Sequence, residues 1–531
     1  MLKILHKIKD YLLIKKSGLF DEEYYLLNNP DVRQADVDPL WHFVSCGWKE
    51  GRNPSTDFDC NYYLSIYSDV YTSGTNPFIH FIKFGRREGR NPNIQNQTQY
   101  SVQEDKNLIS EQTKIIEPSG NERDLALQRV KPKQIREIRV KKFLNFLDKN
   151  KVTKPIDYIY AIPLFSTGGG ELVAINFIRL LEEHYPDDLV LLLITDTDIY
   201  TNYHSLPKNV ILVRLESDLD IFNWDEKVEF ATDLVVMLKP KLLHIINSSV
   251  YWSALLQSGE VIKKHTKVFA NIFCVQYNDN RERTGYASLF LKGSLPFLDG
   301  LISDNKSFFQ DIIDELPSHF IANNCFTIYS PCNDFSSKNT ILSETEFLES
   351  IKRYQENFSG QPKFLWAGRL DKEKKFDLLI EIAKINKKYL FYYYGQSVVD
   401  ESQKVFASDS NLYYRGTFKS FKEILDTEYY HGFIFTSRWE GLPTTLINVG
   451  NMGIPIIAPD VGGVKEIITS ENGYLLPREA SQDDYSQALK TILADENGAI
   501  NKMFNLRQTI LKQHTWESFS RSVSSIPNYL K

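Results

Sequence analysis

The sequence predicts an α/β protein of two doubly wound domains facing a cleft, preceded by a small helical repeat region. Three observations carry this. A 38-residue unit occurs twice near the N-terminus, apolar runs of strand length alternate with helix-length segments from residue 135 onward, and that alternation restarts after the charged stretch Ser343 to Gln361. Two successive strand and helix series imply two open sheets, whose ligands gather outside the carboxyl ends of the strands. With 531 residues the chain is too long for a single core.

The repeat is read directly from the residues. Phe20-Asp21-Glu22-Glu23-Tyr24-Tyr25-Leu26 returns as Phe58-Asp59-Cys60-Asn61-Tyr62-Tyr63-Leu64, and at the same offset His42-Phe43 matches His80-Phe81. Glu50-Gly51-Arg52-Asn53-Pro54 likewise matches Glu88-Gly89-Arg90-Asn91-Pro92. A short unit with fixed aromatics and a closing turn predicts a helical module stacked on its copy. His42 and His80 sit beside Phe on an apolar pattern and are read as packed structural histidines, with metal ligation as the alternative. Arg52 and Arg90 are read as turn caps first and ligand contacts second.

Ahead of the repeat, Leu2, Ile4, Leu5, Ile8, Leu12 and Leu13 alternate with lysines in a helical pattern. That helix either docks on the repeats or lies on an anionic membrane surface as a peripheral contact. Residues 94–134 have the polar composition of a linker.

Composition narrows the function classes. The chain is 42% hydrophobic and 24% charged, and no segment approaches the roughly 20 apolar residues of a membrane-spanning helix. Neither a secretory signal nor a disulfide framework is legible: Cys46, Cys60, Cys274, Cys325 and Cys332 are scattered and lack paired metal-ligand spacing. The expected location is the cytoplasm, with peripheral association on the inner face of the membrane as an option. A net charge of -6 argues against nucleic acid as a partner.

Strand candidates in the first α/β series are Tyr158 to Ile162, Leu189 to Ile194, Leu242 to Ile246 and Val268 to Val275. In the second they are Phe364 to Ala367, Leu390 to Tyr394, Phe433 to Phe435 and Ile454 to Ile457. Arg369 and Lys374 follow the strand ending at Ala367, where a planar guanidinium and a mobile ammonium together suit a diphosphate. Read in isolation they are a solvated basic loop. The neighbouring motif changes that reading: Thr436-Ser437-Arg438-Trp439-Glu440-Gly441-Leu442-Pro443-Thr444-Thr445 leads from a strand through a glycine turn into a helix. The unpaired amides and dipole of a helix N-terminus make an anion seat. Gly462-Gly463 supplies a second glycine turn before a short helix.

Taken in this order, Gly368-Arg369-Leu370 with Lys374, Ser437 to Pro443, and Gly453-Ile454-Pro455 running into Gly462-Gly463-Val464-Lys465-Glu466 resemble the retaining GT-B-fold glycosyltransferases of bacterial polysaccharide and lipopolysaccharide synthesis, the family 4-like group. The resemblance spans roughly Pro155 to Tyr529. Gly168-Gly169-Gly170-Glu171 and Pro331-Cys332-Asn333-Asp334 are softer matches, and Thr515-Trp516-Glu517-Ser518-Phe519 resembles the start of a terminal helix returning to the first domain. Tandem repeats of the kind seen at residues 18–93 look like those attached to bacterial polysaccharide-assembly transferases.

The resemblance implies a GT-B fold of two Rossmann-like domains and a nucleoside diphosphate sugar as donor, with no cofactor and no metal. It implies Arg369 and Lys374 on the donor diphosphate, Glu440 near the transferred sugar, and Gly169 and Gly170 near the donor phosphates. Amides of Gly441, Leu442 and Thr444 complete the phosphate seat. Front-side attack assisted by the leaving phosphate needs no protein nucleophile, so the protein's task is positioning and electrostatic stabilisation. Relatives carry a second Glu on the nucleotide ribose, eight positions after the first, where this chain has Asn448. Asn can donate and accept hydrogen bonds but lacks the carboxylate's charge.

The expected division is an N-terminal helix (1–17), two repeats (18–93), a linker (94–134), an acceptor domain (135–345), a nucleotide-sugar domain (346–514) and a terminal helix (515–531). Asp279, in the polar stretch Val275 to Arg283, is the candidate base or acceptor orienter, with a helix N-cap as its structural alternative. The acceptor is expected to be a glycan or lipid-linked glycan. Two further readings stand beside the enzyme: a non-catalytic nucleotide-sugar-binding scaffold that recruits partners through the repeats, and a metal-dependent inverting transferase using Asp196 and Asp198. The latter motif is commoner as solvated turn chemistry.

Overall fold

The computed structural model describes residues 10–11, 13–29, 32–33, 37–49, 51–67, 70, 75–88, 90–92, 132–201, 206–278, 282–395, 411–418 and 420–530. Asp279, most of the expected linker and the first nine residues lie outside the described residues.

The first sheet is built from β1 (Ile156–Ile162), β2 (Leu189–Ile194), β3 (Val210–Arg214), β4 (Leu242–Ile246) and β5 (Lys267–Asn271). A small antiparallel hairpin, β6 (Gln276–Tyr277) and β7 (Arg283–Thr284), precedes its last strands, β8 (Gly300–Ser303) and β9 (Cys325–Thr327). The order is β3-β2-β1-β4-β5-β8-β9, parallel throughout. The second sheet contains β10 (Lys363–Ala367), β11 (Leu390–Tyr394), β12 (Leu412–Tyr414), β13 (Gly432–Ile434), β14 (Ile456–Pro459) and β15 (Tyr474–Leu476). Its order is β12-β11-β10-β13-β14-β15, again parallel.

Both sheets reverse direction beside their first strand, between β1 and β4 and between β10 and β13. Loops diverge there and leave a crevice. The central strands read as continuous apolar runs because helices cover both faces, and β4 is buried along its whole length. The apolar run Val268 to Val275, expected as one strand, pairs only as far as Asn271. Beyond it the Phe273 carbonyl leaves the ladder and accepts from Asn305 Nδ2 at 2.7 Å, which turns Phe273 to Val275 toward the cleft.

The charged stretch between the two series is the helix Glu344–Asn357, started by a capping box in which Ser343 and Glu346 satisfy each other's backbone amides. After the helix Glu496–Gln513 the chain crosses back to the first domain. The crossing is pinned to the outward linker, because the His514 carbonyl accepts from Cys332 N at 2.6 Å and His514 Nδ1 lies 2.8 Å from the Ser330 carbonyl. Burial pushes the His514 imidazole down to about 4, so it is a neutral structural group at neutral pH. The final helix Trp516–Ser524 then packs on the first sheet. Phe519 meets Phe177 edge to face, and the Tyr529 hydroxyl lies 2.6 Å from both the Tyr160 hydroxyl and His244 Nδ1.

In the N-terminal region each unit contains a helix (Glu22–Asn28, Cys60–Ile66), a short helix opened by proline (Pro39–His42, Pro77–His80) and a π-helical turn (Phe43–Gly47, Phe81–Gly85). Contacts of one unit recur in the other. Asp21 and Asp59 cap their helices, and the Tyr25 and Tyr63 hydroxyls lie 3.0 and 3.2 Å from Nδ1 of His42 and His80. Those histidines therefore serve the packing, and the metal-ligand alternative has no structural support. Arg52 donates to Asn29 at 3.1 Å, whereas Arg90 lies over the Tyr67 ring and pairs with Glu88.

The second unit docks on the first α/β domain. Tyr67 packs edge-on against Trp224, and Asn223 Nδ2 donates to the Glu88 carbonyl. A basic helix, Pro132–Lys149, binds the same element, the helix Trp224–Leu238, through Arg139 to Glu229 and Arg136 to Asp233.

Candidate active site

The residues singled out in the second domain converge at its switch point. Gly368 follows β10, the short turn Lys372–Lys374 carries Lys374, and the segment Thr436 to Pro443 follows β13 into the helix Thr444–Asn451. Backbone contacts lock the two loops together. Arg438 N donates to the Glu373 carbonyl at 2.8 Å, and Thr436 Oγ1 bridges the Lys374 carbonyl and Trp366 Nε1. On this frame the Lys374 ammonium is ion-paired with Glu440, both side chains largely buried. Arg369 is held by Asp371 at 3.0 Å and by Glu373. Burial acts to lower the Arg369 pKa, but Glu373, Asp371, Glu440 and Glu171 together outweigh it and raise it.

Glu171 belongs to the first domain, so the two switch points face each other. It lies in the first turn of the helix Gly169–His184, which opens at Gly168 directly after β1, and it accepts from Ser166 Oγ at 2.8 Å. A Cβ built on Gly169 meets nothing within 4 Å, and one on Gly170 would approach Asn247 Nδ2 at 3.2 Å. The glycine loop thus presents bare backbone at the rim of the cleft.

Glycines also set the second side of the seat. Gly462 has φ of +52°, and a Cβ there would fall onto the Glu440 carbonyl. Gly463 N donates to the Gly441 carbonyl at 2.9 Å. These two glycines hold the Glu440 loop by close backbone approach, a task no larger residue performs.

Two carboxylates that bridge the domains had no role in the sequence reading, Asp304 unnoticed and Glu466 quoted only as part of its motif. Asp304, directly after β8, faces the Gly441 backbone. Glu466 of the second domain accepts from Lys306 N (3.0 Å), Ser307 N (2.8 Å), Ser307 Oγ (2.8 Å) and Tyr329 (2.8 Å) of the first. The available signal for the first was a strand ending in Ser303-Asp304-Asn305, polar residues at a strand-to-helix turn. Among the described residues, Ser437 Oγ and Trp439 Nε1 find no hydrogen-bond partner, though both are buried in the same loop. Trp439 and Glu440 line a small cavity shared with Phe273, Cys274, Asp311 and Arg478.

Asn448 lies one helical turn into Thr444–Asn451, where its amide donates to the Asn333 carbonyl at 3.2 Å and its oxygen faces Cys332 Sγ at 3.5 Å. It therefore ties the helix to the interdomain linker. Asp196 and Asp198 do not form a metal pair. Asp196 accepts from Ser249 N at 3.0 Å at the start of the helix Ser249–Lys263, while Asp198 bonds Ser217 and approaches Arg214. Among the described residues no cluster of three His, Cys, Asp or Glu side chains forms a metal site.

With this geometry in view, comparison with known proteins is informative. Residues 349–509 match the family model described as Glycosyl transferases group 1. An uncharacterized 41.2 kDa protein in the cps region of Klebsiella pneumoniae is 32% identical over 135 residues, covering 24% of this chain and 36% of that one. The O-antigen biosynthesis glycosyltransferase WbnH of Escherichia coli is 31% identical over 136 residues, 25% of this chain and 38% of its own. The chain thus spans little more than a third of the length of these curated relatives. Among solved structures, sucrose-phosphate synthase of Thermosynechococcus elongatus superposes with a TM-score of 0.53 at 15% identity, covering 69% of this chain and 97% of that one. HepE of Anabaena, in complex with UDP-glucose, gives 0.53 at 13% identity over 70% and 98%. These likenesses and the two parallel sheets establish a GT-B fold.

Proposed function

We propose that this protein is a glycosyltransferase moving a sugar from a nucleoside diphosphate sugar to a glycan or lipid-linked glycan in bacterial surface polysaccharide or lipopolysaccharide synthesis. The observation that carries this reading is the convergence of Arg369, the Lys374–Glu440 pair and the Gly441 to Thr444 amides at the switch point of a domain matching group 1 glycosyl transferases. The O-antigen transferase relative supports the surface-glycan assignment.

In this reading the amides of Gly441, Leu442 and Thr444 and the side chains of Arg369 and Lys374 hold the diphosphate, with Gly169 and Gly170 approaching from the other domain. Glu440 orients Lys374 and meets the sugar hydroxyls. The acceptor oxygen bonds to the anomeric carbon as that carbon's bond to phosphate breaks. The acceptor proton passes to the departing phosphate oxygen, and a nucleoside diphosphate leaves with configuration retained. Charge growing on the leaving group is met by Arg369 and Lys374, so the scheme calls for no cofactor and no metal. We place Asp279 at the acceptor side as the orienting carboxylate. Cytoplasmic location with peripheral contact on the inner membrane face completes the proposal; no helix among the described residues is long and apolar enough to cross a membrane.

The test is turnover across UDP-, GDP-, ADP- and dTDP-sugars with a glycan acceptor panel, comparing wild type with Glu440→Ala and Lys374→Ala. Loss of turnover in both supports the site, and turnover indifferent to both refutes it. Product anomers read by NMR test retention, and activity surviving EDTA tests metal independence. Asn448 favours a second reading. Its amide is engaged by the interdomain linker, which suits a scaffold that binds nucleotide sugar without turnover and recruits partners through the repeats. Binding without transfer across all acceptors would establish that alternative.

A further inference from the structure

The Gly441 backbone, assigned above to the donor diphosphate seat, already has a carboxylate from the opposite domain pressed against it. We propose that the Asp304 carboxylate is a resident anion in this seat, occupying the position of a donor phosphate oxygen and giving it up when a nucleoside diphosphate binds. This rests on the donor site of the proposed function and adds its regulation.

The geometry is specific. Asp304 is 7% exposed, and a Cβ built on Gly441 would lie 2.6 and 2.8 Å from its two oxygens, so the loop backbone is pressed onto the carboxylate. The next backbone amide, Leu442, favours the charged carboxylate, and the helix Thr444–Asn451 begins two residues on, where anions are favoured. The carboxylate is built in rather than adventitious. Asn305 Nδ2 donates to Asp304 Oδ1 at 2.7 Å, and the same amide is fixed by the Phe273 carbonyl, while Asn305 Oδ1 caps Phe308 N at 2.7 Å.

What surrounds Asp304 makes it exchangeable. No Lys or Arg forms an ion pair with it among the described residues, and the ammonium in the neighbouring loop, Lys374, is taken by Glu440. Glu440 faces it from the loop after β13, Glu466 from the second domain's short helix, and the half-buried Cys274 thiol from the segment after β5. Lys306, two residues on, turns its backbone amide to Glu466. Burial first, then Glu440 and Glu466, push the Asp304 carboxyl up to about 7, against Asn305 and the Leu442 amide, which hold it down. A buried carboxylate held by amides without a countercharge is a poor competitor for a multiply charged diphosphate. When the diphosphate enters, like-charge repulsion drives Asp304 to swing away or to take up a proton.

Calorimetric titration of the full-length chain with inorganic pyrophosphate and with UDP, GDP, ADP and dTDP tests this, in buffers of differing ionisation heat between pH 6 and 8.5. Asp304→Asn is expected to bind about tenfold more tightly at pH 8 and to take up fewer protons on binding than wild type. The difference between the two proteins cancels the titration of the diphosphate itself. Asp304→Ser carries the same expectation if the Asn variant melts early. Equal affinity and equal proton uptake in wild type and variant overturn the resident anion while leaving the donor site standing. Failure of every diphosphate to bind either protein overturns both.

Discussion

The cleft and the junction between the second repeat and the first α/β domain each bury a carboxyl group, and the two are used differently. At the junction, Asp225 sits in the first turn of the helix Trp224–Leu238, where burial, then Glu229 and Glu226, push it up to about 7 against the attraction of Arg90. At the cleft Asp304 is raised to the same value but faces backbone amides proposed to hold a ligand. The junction is closed by the Tyr67 ring on Trp224 and by Asn223 Nδ2 donating to the Glu88 carbonyl. Both places hold buried donors without a partner among the described residues, Trp224 Nε1 at the junction and Ser437 Oγ and Trp439 Nε1 at the cleft, but only the cleft sets Arg369 and the Lys374–Glu440 pair beside a helix N-terminus. Neither a buried titratable group nor a buried unpartnered donor alone marks a reactive site; basic side chains gathered at a helix N-terminus do.

The sharpest way to break this contrast is Lys374→Ala. Removing a cation from the developing diphosphate charge should lower kcat by about 10² to 10³-fold, read by steady-state kinetics, and should also lower the melting temperature because Glu440 is left largely buried without its partner. Next comes Gly462→Ala, whose Cβ would fall onto the Glu440 carbonyl at a positive φ. Displacement of the Glu440 loop should cost about tenfold or more in kcat/KM. Its counterpart in the repeats is Gly85→Ala, whose Cβ would fall onto the Tyr63 hydroxyl. Here a stability loss of about 1–3 kcal/mol by denaturant unfolding should come with unchanged turnover per folded molecule; a large fall in kcat would show that the repeats act on the chemistry.

A smaller effect is expected from pH. Because the folded Asp225 carboxyl is raised, the folded chain keeps a proton that the unfolded chain has lost between about pH 4 and 7, so stability falls as pH rises through that window. Asp225→Asn should flatten the slope by up to about 1.4 kcal/mol per pH unit, read from melting curves at stepped pH. The smallest effect is Tyr63→Phe, which removes the bond to His80 at 3.2 Å and should cost about 1 kcal/mol.

Much of this was legible in the residues because it depends on local order. Apolar runs place the strands, Gly441 and Pro443 mark a strand-to-helix turn, and the recurrence of Tyr25, His42 and Phe43 as Tyr63, His80 and Phe81 marks two like units. Val268 to Val275 shows the limit of that signal. Its hydrophobicity reports burial, while the end of pairing at Asn271 comes from a hydrogen bond with Asn305, remote in sequence.

By itself, then, the sequence determined two doubly wound domains, a preceding repeat, and an anion seat at the start of one helix, since each follows from periodicity and turn chemistry within a few residues. Only the tertiary structure decided which charges meet. Lys374 finds Glu440 across 66 positions, Glu466 caps a helix of the other domain 159 positions away, and Asp304 reaches the Gly441 backbone from the opposite sheet. Asn448 likewise turned to the linker at Asn333. Coulombic and hydrogen-bond energies depend on distance and burial in space, and neither is written in residue spacing once the partners lie on different sheets.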